Sequence, residues 1–397
     1  MDLSYSAEYE EFRGEVKAFL ARSWPLEGSE AELSRRAQHR LFRQRAIEAG
    51  YLGRAIPRRF GGSEQPPDVF KAAIIEEELS RAGAPGEIGG GGMGMLVPTL
   101  LEHASEELSR RFIPPTLLGD LHWCQGYSEP GAGSDLASLK TRAELVGDEW
   151  VINGQKIWTS GAREAGYMFC LCRTEPDAPK HAGISYLLIP MEQPGIEVRP
   201  LKQMTGDADF NEVFFSDARA PAANIVGKRG EGWLVARTTL KHERNMIGNA
   251  VAIRRLFDSL VRLARERQLS GDPHIRQQLG ELEGHVAAQE YSFYRQMTCA
   301  ARGENPGPVV FMNKLNSTTL TLRISRLALD LLGEEGLAAP STNETIMSDA
   351  PKGPGGWVSH GMWALGLHIG GGTANVQRNI IGERTLGLPR DRAAQRR

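Results

Sequence analysis

Trp123-Cys124-Gln125-Gly126-Tyr127-Ser128-Glu129-Pro130-Gly131-Ala132-Gly133-Ser134-Asp135 is the stretch on which the reading of this chain turns. It begins like a strand and ends as a turn of small residues. Gly131 and Gly133 allow a positive φ and let a flat ligand approach the main chain with no Cβ in the way. Ser128 and Ser134 bring hydroxyls to the same turn. Lys156-Ile157-Trp158-Thr159-Ser160-Gly161 belongs with it, supplying an indole face beside two more hydroxyls. Together the two stretches read as a wall for a large planar cofactor. The plain alternative is a tight turn between strands, because short glycine motifs often match by chance.

The chain has 397 residues, 41% of them hydrophobic, and a formal net charge of −2. That length allows two or three compact units. The charge argues against a nucleic-acid partner, which would usually meet a basic field, and the arginine pairs (Arg58-Arg59, Arg110-Arg111, Arg396-Arg397) are scattered. The N-terminus, Met1-Asp2-Leu3-Ser4-Tyr5, lacks the basic start and apolar core of a signal peptide. No apolar run is long enough to span a bilayer. The cysteines are Cys124, Cys170, Cys172 and Cys299, and their spacing suits neither a metal site nor a redox motif. They read as reduced thiols of a cytoplasmic protein.

Along the chain, Tyr9, Phe12, Val16 and Phe19 recur at helical spacing and predict a helix over 6–20. Further helices are expected at 70–81 and 100–112. The glycine-dense run from Gly86 to Gly94 reads as a connector or a phosphate cradle, and no Lys-Ser/Thr follows it as a P-loop requires. From Leu121 to about Val226, short β-type runs alternate with turn signals. Asn153-Gly154 between two such runs predicts a hairpin turn. Helical periodicity returns after Gly232, with helices expected at 233–267, 275–301, 308–332 and 373–382. Runs of helices, then strands, then helices indicate an α+β protein in three parts: 1–120, 121–228 and 229–397.

On the helix after Trp233, Ala236, Leu240, Ile247 and Ala250 share one face, and Glu243 sits on that stripe. Burying an unpaired carboxylate is costly. Desolvation would raise its pKa toward the range of a general base. A structural salt bridge with Arg244 or His242 is the other reading.

Tyr-Ser-Glu-Pro-Gly-Ala-Gly-Ser-Asp (127–135), followed by Asn153-Gly154-x-Lys156-x-Trp158-Thr159-Ser160, resembles the flavin-binding signature of the acyl-CoA dehydrogenase family. The likeness runs from the first helix to Leu386-Gly387-Leu388-Pro389-Arg390. It implies an N-terminal all-α domain, a middle β-barrel domain and a C-terminal four-helix bundle. It also implies FAD as cofactor, an acyl-CoA thioester as substrate and an electron-transferring flavoprotein as acceptor.

By the same resemblance, Gln125, Tyr127, Ser128, Gly133, Ser134, Trp158, Thr159 and Ser160 contact the flavin, and Thr373 and Asn375 lie near its phosphates. Arg267 reaches the FAD of a neighbouring subunit. Ser134, Arg244 and Gly371 contact substrate. Most family members carry the catalytic glutamate where this chain has Gly371. A minority, similar to the isovaleryl-CoA and long-chain dehydrogenases, keep it on the helix in a Glu-Arg pair, which Glu243-Arg244 matches. Glu243 is then the base for the α-proton, and the Gly371 N–H helps to hold the thioester oxygen. Glu334-Glu335 stands where the family has a glycine loop that meets a neighbour's pyrophosphate, so a homotetramer and a hetero-oligomer both stay open. A non-catalytic subunit of a hetero-oligomeric dehydrogenase and a flavin oxidase or monooxygenase are the rival readings. The acyl group expected is branched, cyclic or steroid-derived.

Overall fold

The computed structural model describes residues 5–86, 90–248, 250–341 and 350–389. Residues 87–89 of the glycine run, Arg390 and Arg396-Arg397 lie outside the described residues. The N-terminal helices are α1 (Ala7–Ser23), α2 (Arg35–Glu48), α3 (Val69–Ala82), α4 (Val97–His103) and α5 (Glu106–Leu118). Val16 and Phe19 of the expected stripe are buried, with Phe42 and Ala46 of α2 and Ile75 and Leu79 of α3. The sequence reading assigns no helix at α2, because Phe42 and Ala46 are its only buried residues among many arginines. The helix expected over 100–112 is two. Ser105 leaves helical geometry and its hydroxyl caps α5 through the Leu108 N–H at 3.2 Å. Gly92–Leu96 is a wide helical turn leading into α4, where a connector was expected.

The strands are β1 (Trp123–Gly126), β2 (Arg142–Val146), β3 (Glu149–Lys156), β4 (Tyr167–Arg173), β5 (Ile184–Pro190), β6 (Ile196–Leu201), β7 (Phe210–Pro221) and β8 (Ile225–Val226). They form one sheet in the order β6-β7-β3-β2-β4-β5-β8, with β1 paired in parallel to β4. Met168, Cys170 and Cys172 of β4 and Leu187 and Ile189 of β5 fill its core. The sulfurs of Cys170 and Cys172 lie 3.7 Å apart on one face of β4.

Asn153-Gly154 is not a hairpin turn. β3 runs straight through it, and the turn falls instead at Gly147, with φ +65°. The register against β7 shifts between Ile152 and Gly154. Gly154 has φ +150°, and a Cβ there would sit 2.7 Å from the Thr141 Cα. Glycine marks a bulge with close backbone approach. Asn153 bridges it, donating from Nδ2 to Asp217 at 2.9 Å and accepting from the Asp217 N–H at 3.0 Å.

The C-terminal helices are α6 (Gly232–Ile247), α7 (Ala250–Glu266), α8 (Pro273–Ala301), α9 (Val309–Leu332), α10 (Gly353–Leu367) and α11 (Ala374–Ile380). The single helix expected over 233–267 is α6 and α7, parted at Gly248. A Cβ on Gly248 would meet the Arg244 carbonyl oxygen at 3.2 Å and the Asn313 Cβ at 3.3 Å. α10 escapes the sequence reading because its glycines mask it. They serve packing: a Cβ on Gly355 would reach the Ala339 oxygen at 2.8 Å, and one on Gly361 would reach Leu329 at 3.2 Å. Buried Ile253, Leu256, Leu260, Leu282, Ile324 and Trp357 tie α7 to α10 into one core.

The chain divides into two compact units, Met1–Arg199 with Asn211–Thr239, and Pro200–Phe210 with Leu240–Arg397. The early helices and most of the sheet belong to the first, and α7 to α11 to the second. No described helix is long and apolar enough to cross a membrane.

Gly154→Ala should destabilise the first unit by about 2 kcal/mol, because the new Cβ meets main chain at a conformation L-residues avoid. A thermal melt of the purified variant checks this; an unchanged midpoint would show that the bulge tolerates a side chain.

Candidate active site

In the first unit, β1 delivers the turn that opened the sequence reading. Gly126 must be glycine, since a Cβ would lie 2.2 Å from the Met168 sulfur. After it, Glu129 and Ala132 exchange backbone hydrogen bonds of 3.0 Å in both directions, closing the turn. The Glu129 side chain folds inward. It accepts from the Lys140 N–H at 2.7 Å, the Thr141 N–H at 2.9 Å and the Lys156 ammonium at 2.7 Å. Lys156 is wholly buried and also donates to the Tyr127 carbonyl at 3.2 Å. The Ile157 N–H adds a bond to the Ser128 carbonyl at 2.9 Å. The two sequence motifs are therefore held together by a buried ion pair and by main chain.

Burial works against the Glu129 carboxylate, but Lys156 and the donors from Lys140 and Thr141 outweigh it and hold the group below the ordinary carboxylate range. The sign follows: this contribution to stability is present at neutral pH and is lost as pH falls through the lowered value.

The strand ends at Lys156, so Trp158 and Thr159 lie beyond it. Trp158 adopts a left-handed φ of +61° and its indole is 58% exposed. A bulky residue in that region is costly unless its surroundings impose it. Asn211 does so at the next residue, where the backbones of Asn211 and Thr159 exchange bonds of 3.0 and 3.1 Å and the Asn211 amide adds one of 2.9 Å. The Thr159 hydroxyl is buried and has no hydrogen-bond partner among the described residues.

Gly131 and Gly133 differ from expectation. Neither has a positive φ, and a Cβ on either would meet no atom of the chain within 4 Å. The fold itself does not require glycine there. The turn, the exposed Trp158 and the buried Thr159 hydroxyl, unpartnered among the described residues, are compatible with a planar cofactor. Ser134 and Ser160 are exposed, and Gln125 and Ser128 half-buried.

The second unit carries the remaining candidates. Glu243 on α6 is half-buried. No hydrogen bond or ion pair joins it to Arg244, His242 or any other described residue, so the structural salt bridge is not formed. Burial raises its pKa above the ordinary glutamate value, against the opposing pull of Arg244 and Lys314. The Arg244 guanidinium lies over the Phe311 ring, 5.4 Å from its centre.

Gly371 and Gly372 have φ of +63° and +88°. A glutamate at 371, where most of the family has its base, would be strained by about 1–2 kcal/mol. The Gly371 carbonyl accepts from Gln377 at 3.1 Å, and the Gly372 carbonyl accepts from Lys314 at 2.7 Å. The Gly371 N–H has no acceptor among the described residues. Thr373 caps α11 through the Val376 N–H at 3.2 Å, and Asn375 accepts from Arg378 at 3.2 Å. Arg267, expected to reach a neighbouring subunit, forms a two-pronged ion pair with Glu335 of the same chain, one contact at 2.6 Å.

No role is expected from sequence for Glu129, Lys156, Asn211, Lys314 or Gln377. A lysine inside a strand pattern and another inside a helical apolar stripe were the available signals.

Three family profiles match in order: the acyl-CoA dehydrogenase N-terminal domain over residues 6–120, the middle domain over 124–218 and the C-terminal domain over 230–386. Acyl-CoA dehydrogenase IpdE1 of Mycobacterium tuberculosis is 38% identical over 400 residues, covering 97% of this chain and 99% of the relative. A solved Tcur3481-Tcur3483 steroid acyl-CoA dehydrogenase superimposes with a TM-score of 0.78 at 29% identity, covering 98% of this chain and 100% of that one. The ChsE4-ChsE5 complex of M. tuberculosis gives 0.75 at 31%, with 98% and 100% covered. Matches to all three domain models and to relatives along nearly the whole chain show that it belongs to the acyl-CoA dehydrogenase family.

Proposed function

We propose that the chain binds FAD and removes the α-proton of an acyl-CoA thioester with Glu243, yielding the trans-2-enoyl-CoA. The observation that carries this is Glu243 itself: a half-buried carboxylate with no described partner and a raised pKa, on the helix of a family whose usual base position is here Gly371. Ser128, Ser134, Trp158 and Thr159 would hold the cofactor's ring system. Bound there, FAD would supply the acceptor chemistry for a hydride from the β-carbon, and an electron-transferring flavoprotein would take the electrons onward. The Gly371 N–H would donate to the thioester oxygen as charge develops there. Arg244, beside Glu243 in sequence, would keep its carboxylate charged at working pH and contact the substrate.

Glycines at 370 and 371 leave the substrate side of this loop without side chains. Together with similarity to a protein named as a steroid acyl-CoA dehydrogenase, this favours a branched, cyclic or steroid-derived acyl group.

Assembly is the point where a second reading has its own observation. An Arg267 engaged by Glu335 is neutralised within its own chain, and so is poorly placed to serve a neighbour's pyrophosphate. That favours a hetero-oligomer, in which a different chain supplies or lacks those donors, over a homotetramer of equivalent sites.

Three outcomes are expected. Lys156→Met should leave Glu129 buried without its cation, a cost of about 3–5 kcal/mol, and the purified variant should lose flavin that the parent chain retains. Retention of full flavin absorbance would detach the ion pair from the cofactor site. Glu243→Gln should keep fold and flavin but slow anaerobic flavin reduction by about a thousandfold or more. In the parent chain that rate should rise with pH, through a midpoint above the ordinary glutamate value, because only the deprotonated form accepts a proton. Reduction of the glutamine variant at the parent rate would place the base elsewhere. Mass photometry with flavin quantitation should give fewer than one flavin per chain in the native assembly; one per chain in a homotetramer would exclude the hetero-oligomer.

A further inference from the structure

Lys314 stands on α9 in the unit that carries Glu243, with its side chain wholly inaccessible to solvent. A lysine buried to that degree usually sits against a carboxylate. Here no carboxylate lies within 4 Å of Nζ among the described residues. The ammonium instead donates to two main-chain carbonyls, Gly372 at 2.7 Å and Leu367 at 3.3 Å. Leu367 ends α10, where carbonyls lack helical partners and the helix dipole favours a cation. Gly372 ends the Gly370-Gly371-Gly372 run. From the other side, the Gln377 amide holds the carbonyls of Gly371 at 3.1 Å and Gly372 at 3.4 Å. Three successive glycines lose more backbone freedom on ordering than any other tripeptide. A loop of that composition keeps one shape only if something ties it, and Lys314 and Gln377 are the ties.

We propose that Lys314 is a positioning residue for proton abstraction: it clamps the Gly370–Gly372 loop so that the Gly371 N–H keeps one direction, and it supplies the fixed cation that, with Arg244, balances Glu243. This rests on the reading of Glu243 as the base.

Glu243 on α6 is acted on by Arg244 of the same helix and by Lys314 of α9. Arg244 in turn feels Arg384, beyond α11. His368, just past α10, faces Lys314, Arg326 of α9 and Arg378 of α11; burial and these cations hold its imidazole below the ordinary value. At neutral pH it is therefore uncharged and does not compete with Lys314.

The test uses the full chain with and without FAD. In the FAD-free protein, hydrogen–deuterium exchange of peptides covering 366–378 should quicken about tenfold or more in Lys314→Met, because the clamp normally suppresses local opening. In the flavin-loaded protein, the pH midpoint of anaerobic flavin reduction should move upward by about one unit, since Glu243 loses a stabilising cation. Lys314→Arg, which keeps charge and donors, should restore the midpoint. A merely structural lysine would leave that midpoint where it is. Unchanged exchange, an unmoved midpoint, or an arginine variant displaced as far as the methionine one would each overturn the proposal. Should Lys314→Met fail to fold, Lys314→Gln replaces it, with the midpoint deciding. Parent protein whose flavin no acyl-CoA reduces would overturn the proposed function instead, and the exchange arm would still judge the clamp.

Discussion

The buried pairing of Glu129 with Lys156 is the interaction on which the first unit's candidate site depends. Each charge alone would be costly in that interior. Together, with the Lys140 and Thr141 N–H groups and the Tyr127 carbonyl, most of their hydrogen-bonding capacity is used. Apolar residues of the same volume could pack as well, but they would not fix the turn's angle against β3. The ion pair sets where Ser128 and Ser134 stand relative to Trp158, so its worth lies in geometry more than in net stability.

Lys314 is its counterpart in the second unit. Both lysines are fully buried, both reach main-chain carbonyls, and both fasten a glycine-bearing loop to a neighbouring element. They differ in partner. Lys156 has a carboxylate at 2.7 Å, whereas Lys314 has only carbonyls in contact and the field of Glu243 beyond them. The first arrangement is a closed electrostatic unit. In the second, Glu243 acts on the cation only through the field and not through a contact.

Glycine works here in three distinct ways. At Gly126, Gly154 and Gly355 it permits contacts that a Cβ would block. At Gly371 and Gly372 it permits a left-handed backbone, which places the loop N–H while leaving side-chain volume empty. At Gly131 and Gly133 neither reason holds, and the missing Cβ leaves the main chain open to approach from outside. Arg267 is a parallel case among charged residues, since its motif survives in sequence while Glu335 engages it.

Sequence alone was enough for the family, the α+β order of helices, strands and helices, the glycine-serine turn and the presence of Glu243 on an apolar helix face. These were legible because they rest on local pattern: periodicity, a long contiguous motif, and a carboxylate on an otherwise apolar helix face. Asn153-Gly154 misled for the same reason, since a dipeptide signals a turn only when the chain is free to turn there, and pairing with β7 overrides it. The helices α2 and α10 were hidden by arginine and glycine, whose reasons are contacts with distant residues. It takes the folded chain to make the contacts of Glu129 with Lys156, of Lys314 with the 370–372 loop and of Arg267 with Glu335. Each joins residues between 27 and 68 positions apart, and no local pattern encodes which buried charge a distant segment will satisfy.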